Sequence, residues 1–389
     1  MTNPSAPAAP STLRPELGRR AVSQLSLAYA IATNGMILTP FIVAAVMLRF
    51  HLDEGIATQI AGVEILGIAL SCALLPRWIA SAPRIFTLAG LFGTLAGQAA
   101  SVLVPTVVSI AIARGVSGIF EGMLFVVVAS AISQRESADR LWGQINLIAG
   151  IINGGLLVVI AYLPEAWLAH GIFLLLVATI VLMSPVIFGI DAYTHRAATV
   201  RTHRPMSKKL VSSIWAVTVL IYGVQASQWA VAGIVGTRAG LSTSTIGILL
   251  SLSSLLGFAG AIIPSQRASQ PHRLKIILLA QVAMIGSLIA FFGSNGGTSY
   301  FVSQLVLNCA FFVIIPFLTG LLSEIDPDGS LVARTVVVTF IGGGIGTAVA
   351  GGLLDTYGGI RFATLLCIGI AAAMPFVWLA LSSARSHRN

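Results

Sequence analysis

Long apolar runs alternate with short polar interruptions along the whole chain. Runs of about 20 residues are what a helix needs to cross a bilayer core of roughly 30 Å. Twelve such runs occur, predicting spans at 24–48, 57–75, 85–104, 106–131, 143–163, 168–190, 211–235, 241–263, 275–293, 298–322, 331–354 and 360–382. Each is far longer than a barrel strand and lacks strict alternation, so helices are required. Pro40 inside the first run predicts a kink there. The third and fourth runs are separated only by Pro105 and its neighbours.

The longest hydrophilic stretch between spans, 191–210, follows the sixth and divides the chain. The predicted organisation is a tail (1–22), a six-helix bundle (23–190), a basic linker (191–210), a second six-helix bundle (211–383) and a short tail (384–389). Two echoes relate the halves. Pro76, Ala80, Ser81 and Pro83 recur 188 residues later as Pro264, Ala268, Ser269 and Pro271. Gly154-Gly155-Leu156-Leu157 in the fifth span recurs as Gly351-Gly352-Leu353-Leu354 in the eleventh.

Composition agrees with lipid as the solvent. Hydrophobic residues make up 56% of the 389 and charged residues only 9%, with a mean hydropathy of +0.94. A soluble domain carries about 25% charged residues, so a soluble enzyme is excluded. The net charge of +9 does not indicate nucleic acid, because the charges sit in short loops. With the N-terminus inside, 18 of the 22 Lys and Arg fall in inside segments and three (Arg49, Arg238 and Arg361) outside. That asymmetry predicts both termini in the cytoplasm. The first apolar run is too long for a cleavable signal core, so none is expected. Cys72, Cys309 and Cys367 lie within spans at no disulfide or metal spacing and read as packing residues. The six histidines fall in loops or near span ends without i, i+4 pairs, so no metal site is expected.

Six spans, a basic linker and six more spans resemble the major facilitator superfamily of secondary transporters, over roughly residues 20–385. The fourth span adds Ala113-Arg114-Gly115-Val116-Ser117-Gly118, similar to the family's Arg-and-Gly motif in that helix. The resemblance implies an all-α membrane fold of two six-helix bundles, alternating access, and a coupling role for Arg114 as in proton-coupled members. Two departures stand out. Residues 76–84 read PRWIASAPR, without the Gly and Asp of the family's cytoplasmic loop motif, and the fifth span has Gly143, Gly150, Gly154 and Gly155 but no Pro.

Charged side chains at mid-membrane cost about 2.5–3.5 kcal/mol each on the insertion scale and mark function. Three occur: Glu64, Arg114 and Glu121. Arg114, Ser117 and Glu121 share a helix face, expected to line a water-accessible cavity. Arg114 and Glu121 lie on the order of 10 Å apart along the axis, too far for direct pairing without a bridge. Burial favours a neutral carboxyl and a nearby guanidinium favours the charged one, so their relative movement can load and release a proton. Glu64 reads as nearer a helix end, at the interface. In the seventh span Tyr222, Gln225 and Trp229 share one face, with Gln228 adjacent. Asn34 in the first span and Gln304 and Asn308 in the tenth complete the candidate ligand contacts. Pairs such as Gly93 with Gly97, Gly118 with Gly122 and Gly342 with Gly346 predict close helix packing.

The sequence contains no ATP-binding Gly-x-x-x-x-Gly-Lys loop, so a proton gradient is the expected energy source and no cofactor is expected. The spans hold no His–carboxylate constellation for an enzyme, and a transporter-like sensor would need an added output domain. The expectation is therefore a proton-coupled exporter of a small organic molecule, with uptake of a small organic acid as the alternative. With 19 Arg and three Lys, a monomer in a bacterial cytoplasmic membrane is the expected setting, with the bilayer and a small-molecule substrate as its only partners.

Overall fold

The structure is a computed structural model. It describes residues 17–386 apart from 80, 133–134, 136–137, 195–207 and 326–329. Most of the basic linker, Ala80 of the sequence repeat, the first 16 residues and the last three lie outside the described residues.

Among the described residues, fourteen helices form the membrane body. The first half comprises α1 (Arg19–Ile37), α2 (Thr39–Phe50), α3 (Glu54–Leu74), α4 (Pro83–Leu103), α5 (Val107–Ile132), α6 (Ala138–Ala161) and α7 (Glu165–Ile187). The second comprises α8 (Lys208–Ala230), α9 (Ala232–Arg238), α10 (Thr243–Gly257), α11 (Arg273–Phe292), α12 (Gly297–Ile325) and one continuous assignment, Ser330–Ser386. At 1.5 Å per residue that last element would far exceed the bilayer. It reverses at Gly358, where φ 74° and ψ 168° are non-helical, giving α13 (330–357) and α14 (359–386). Leu331 and Ala380 accordingly pack in one cluster with Leu210.

Helices α1 and α2 meet at 52° and form one broken span. The expected kink sits at Leu38, two residues before Pro40. Helix α10 continues through a 3-10 turn (Phe258–Ala261) to Ser265. Counting each broken or reversed element by its crossings gives twelve spans among the described residues. The first begins earlier than expected, at Arg19.

Both halves open with a broken helix. Leu38 (φ −86°, ψ 5°) separates α1 from α2, and Val231 (φ −98°, ψ 5°) separates α8 from α9. Only the first break has a proline, so the shared geometry belongs to the repeated fold rather than to Pro40. The two breaks touch. At the first, Phe41 and Ile42 N–H both bond to Leu38 O, releasing the Ile37 carbonyl, to which the Trp229 indole donates at 3.0 Å.

Small residues set the helix contacts. A Cβ on Gly118 would meet the Glu64 carbonyl, one on Gly122 would meet Ser71 and Ile68, and one on Gly346 would meet Gly223. Between the halves, Gly62 packs on Ala348, Gly55 on Gly352, and Gly247 on Ala161. Gly351 N–H donates to Thr58 Oγ1 at 3.0 Å, and Arg238 pairs with Glu54. These contacts lie towards the end that carries the loops after α2, α6 and α9, opposite the two termini. The halves are therefore closed at that end.

Candidate functional site

Arg114 is fully buried at the centre of the first half. Its Nε donates to Glu64 Oε2 at 3.1 Å, and its Nη2 pairs with Glu64 Oε1. Nη1 donates to Gln98 Oε1 at 2.6 Å and lies 3.5 Å from Ser101 Oγ. The guanidinium also lies over the Phe173 ring, 5.5 Å from its centroid. Gln98 then passes the network on, its Nε2 donating to Glu121 Oε1 at 3.1 Å. Through Gln98 and Arg114 the Glu121 carboxyl joins the network of Glu64, and its Oε2 has no hydrogen-bond partner.

Glycines make this cluster possible. A Cβ on Gly35 would meet the Glu64 carboxyl, and Gly118 lets α5 close on the α3 backbone beside Glu64. Two sequence expectations are corrected here. Glu64 is not at the interface: it sits midway along α3 and is 1% exposed. Arg114, Ser117 and Glu121 do not line a water-accessible cavity, because all three are sealed among α3, α4 and α5. Ser117 Oγ faces Gly97 and has no hydrogen-bond partner. The bridge between Arg114 and Glu121 is the Gln98 side chain.

A second polar set lies in the other half. Gln225 Nε2 donates to Asn308 Oδ1 at 3.0 Å, and Gln304 Nε2 reaches the same atom at 3.4 Å. Gln228 Nε2 donates to Gln304 Oε1 at 2.6 Å. Gln225 Oε1, Gln228 Oε1 and Asn308 Nδ2 remain unpaired in the protein. Tyr222, one turn before Gln225, meets Phe311, one turn after Asn308, edge to face at 5.1 Å. On the α1 side Tyr29, Phe125 and Trp142 pack mutually at 5.5–6.1 Å, and Phe340 of α13 closes on Phe125 at 5.0 Å. Asn34 is buried with neither amide atom partnered. Trp229 is taken up by the Ile37 carbonyl, so it joins the halves instead of facing a ligand.

No family sequence profile and no curated protein sequence matches the chain. Solved structures do. A D-xylose–proton symporter matches at a TM-score of 0.69 and 13% identity, over 92% of this chain and 97% of that one. The nucleoside transporter NupG matches at 0.70 and 12%, over 93% and 99%. The human organic anion transporter MFSD10 matches at 0.63 and 13%, over 92% and 99%.

The chain has the major facilitator fold. At these identities the likeness concerns the path of the chain, and the side chains must be read on their own. Within the major facilitator fold the two polar sets occupy different halves: an ionic one among α3, α4 and α5, and an amide one between α8 and α12.

Sequence reasoning missed Gln98, Ser101 and the aromatic residues Tyr29, Phe125, Trp142, Phe311 and Phe340. Gln98 carried the same signal as Asn34, a lone amide within an apolar run. The aromatic residues carried none, since a ring within a span is ordinary core until its neighbours are known.

Proposed function

We propose that the protein is a proton-coupled secondary transporter that moves a small organic molecule by alternating access, as an exporter exchanging substrate for protons. The observation that carries this reading is the buried cluster in which one guanidinium pairs with the Glu64 carboxyl and is joined to the Glu121 carboxyl through Gln98. With both carboxyls ionised the cluster holds one net negative charge, and one proton shared by Glu64 and Glu121 cancels it. Buried charges are costly in lipid and seldom needed for helix packing. A cluster that becomes neutral on taking one proton is suited to carrying that proton.

Access follows from the packing. The charge asymmetry of the loops supports reading the closed end as the outer one. Rocking the halves about the touching breaks at Leu38 and Val231 would open the outer end and move α1, with Gly35, against Glu64. In this reading the protein works as a monomer in a bacterial cytoplasmic membrane, with both termini inside and no cofactor. The export direction rests on the resemblance of the Arg114 segment to proton-coupled exchangers.

The test is substrate-evoked proton movement in proteoliposomes loaded with a pH dye, over a panel of small acids, sugars, antibiotics and cationic dyes. Exchange alkalinises the side to which substrate is delivered, and Glu121→Gln abolishes the signal. Substrate flux with no proton movement contradicts the reading, and proton movement in the same direction as substrate reverses its direction to uptake.

A further inference from the structure

Four amides form the hydrogen-bonded polar set between α8 and α12, and three of their buried polar atoms are unpaired. Leaving a buried donor or acceptor unpaired costs roughly 1–3 kcal/mol, and here two acceptors (Gln225 Oε1 and Gln228 Oε1) and one donor (Asn308 Nδ2) carry that cost together. Gln228 is fully buried and Asn308 is 5% exposed. Amide orientations follow from the network, and flipping Gln225, Gln228 or Asn308 alone breaks the hydrogen bond it now makes and still leaves unpaired atoms. The set therefore lacks partners for both kinds of atom.

Charge is excluded from both sides of this place. Between Lys209 and Arg238, from 239 to 266, from 276 to 323, from 335 to 354 and from 362 to 384 the sequence has no Lys, Arg, Asp or Glu. The spans of the second half thus hold no countercharge. Across the seam, Arg114 directs three nitrogens at Glu64 and Gln98 and is sealed from the seam, so it has no fork left for a carboxylate. A charged ligand would bury its charge against neutral amides and aromatic rings alone, which is costly without a partner. The rings Tyr222 and Phe311 stand one turn from Gln225 and Asn308 and offer flat apolar faces.

We infer that the substrate is an uncharged ring compound with adjacent hydrogen-bond donors and acceptors, the chemistry shared by sugars and nucleosides. It bonds to Gln225, Gln228 and Asn308 and lies against Tyr222 and Phe311. The inference rests on the transporter reading for the word substrate; the site itself does not depend on it. One electrical consequence follows. If the substrate is neutral and one proton moves per cycle on the Glu64–Glu121 pair, each cycle moves one net charge.

The test uses matched skeletons that differ in charge: D-glucose against D-gluconate and D-glucosamine, and uridine against uridine monophosphate. Thermal stabilisation of the purified full chain is measured with each, since a bound ligand raises the melting temperature by mass action. At least one neutral compound should stabilise the protein, with its charged counterparts at least tenfold weaker. Glucose against uridine then separates the two sources of this chemistry. Asn308→Leu and Gln228→Leu should each weaken binding about tenfold or more, read as the ligand-induced shift from each variant's own ligand-free melting temperature, which falls because Gln228→Leu strands Gln304 Oε1 and Asn308→Leu strands the Gln225 and Gln304 donors. A charged member binding as well as its neutral parent overturns the inference, as does stabilisation by neither neutral compound. So does neutral binding that survives both substitutions. In proteoliposomes, flux of the bound compound should respond to a potassium–valinomycin potential, and flux indifferent to it contradicts the charge balance. Binding with no flux leaves the site standing and removes the transport reading.

Discussion

Arg114 and Glu64 interlock through two nitrogens and two oxygens with no water access, and removing one member strands the other. Breaking a buried ion pair typically costs about 3–5 kcal/mol. Arg114→Met should therefore lower stability by that order, and adding Glu64→Gln should restore most of the loss. Thermal unfolding in detergent reads the double-mutant cycle; additive losses would show that the pair is not coupled. The glycines beside the pair give a sharper contrast. Gly118→Ala forces a Cβ onto the Glu64 carbonyl, an overpacking worth about 1–3 kcal/mol, while a Cβ on Gly155 meets nothing within 4 Å. Gly155→Ala should be neutral or stabilising by up to about 1 kcal/mol, from helix propensity alone. The three charges were legible in the sequence, because an ionised group in an apolar run stands out. Their pairing was not. Spacing along α5 joined Arg114 to Glu121, whereas the partner that closes on the guanidinium comes from α3, 50 positions away.

At the scale of elements, both the apolar runs and their breaks decide the shape. Run length predicted every span, since the bilayer fixes it. The sequence signalled one break, through Pro40, and was silent on its counterpart at Val231, where backbone geometry repeats without a proline. Trp229 marks how the two are joined. Trp229→Phe keeps the ring and removes the donor to Ile37 O, so a loss of about 1 kcal/mol is expected from thermal unfolding. An unchanged melting temperature would mean that the bond contributes nothing. The turn at Gly358 is a stricter case, since φ 74° with ψ 168° is a region essentially reserved for glycine and costs other residues about 1–3 kcal/mol. Gly358→Ala should lower stability by that amount, whereas Gly359→Ala, with its nearest neighbour at 3.5 Å, should not.

For the whole molecule, the closed end is held mainly by interdigitated small residues. The Glu54–Arg238 pair is half exposed on the arginine side, and such pairs contribute about 0.2–1 kcal/mol. Arg238→Ala should thus shift the balance towards the open end only a few-fold, measured by labelling a cysteine placed in the seam. Gly62→Leu, which cannot sit against Ala348, should shift it much further; the reverse order would assign the closure to charge. The six-plus-six plan was readable from the linker and the weak repeat, but which end is shut was not, because closure is a property of contacts between halves.

The central claim is that Glu64 and Glu121 share a transportable proton. It can be tested without knowing the substrate, by infrared difference spectroscopy of the reconstituted protein between acidic and alkaline buffer. The account predicts a protonated-carboxyl band that titrates in the wild type, is lost in both Glu64→Gln and Glu121→Gln, and persists in Glu54→Gln. A titrating band that survives both cluster substitutions, or the absence of any such band in the wild type, would contradict it.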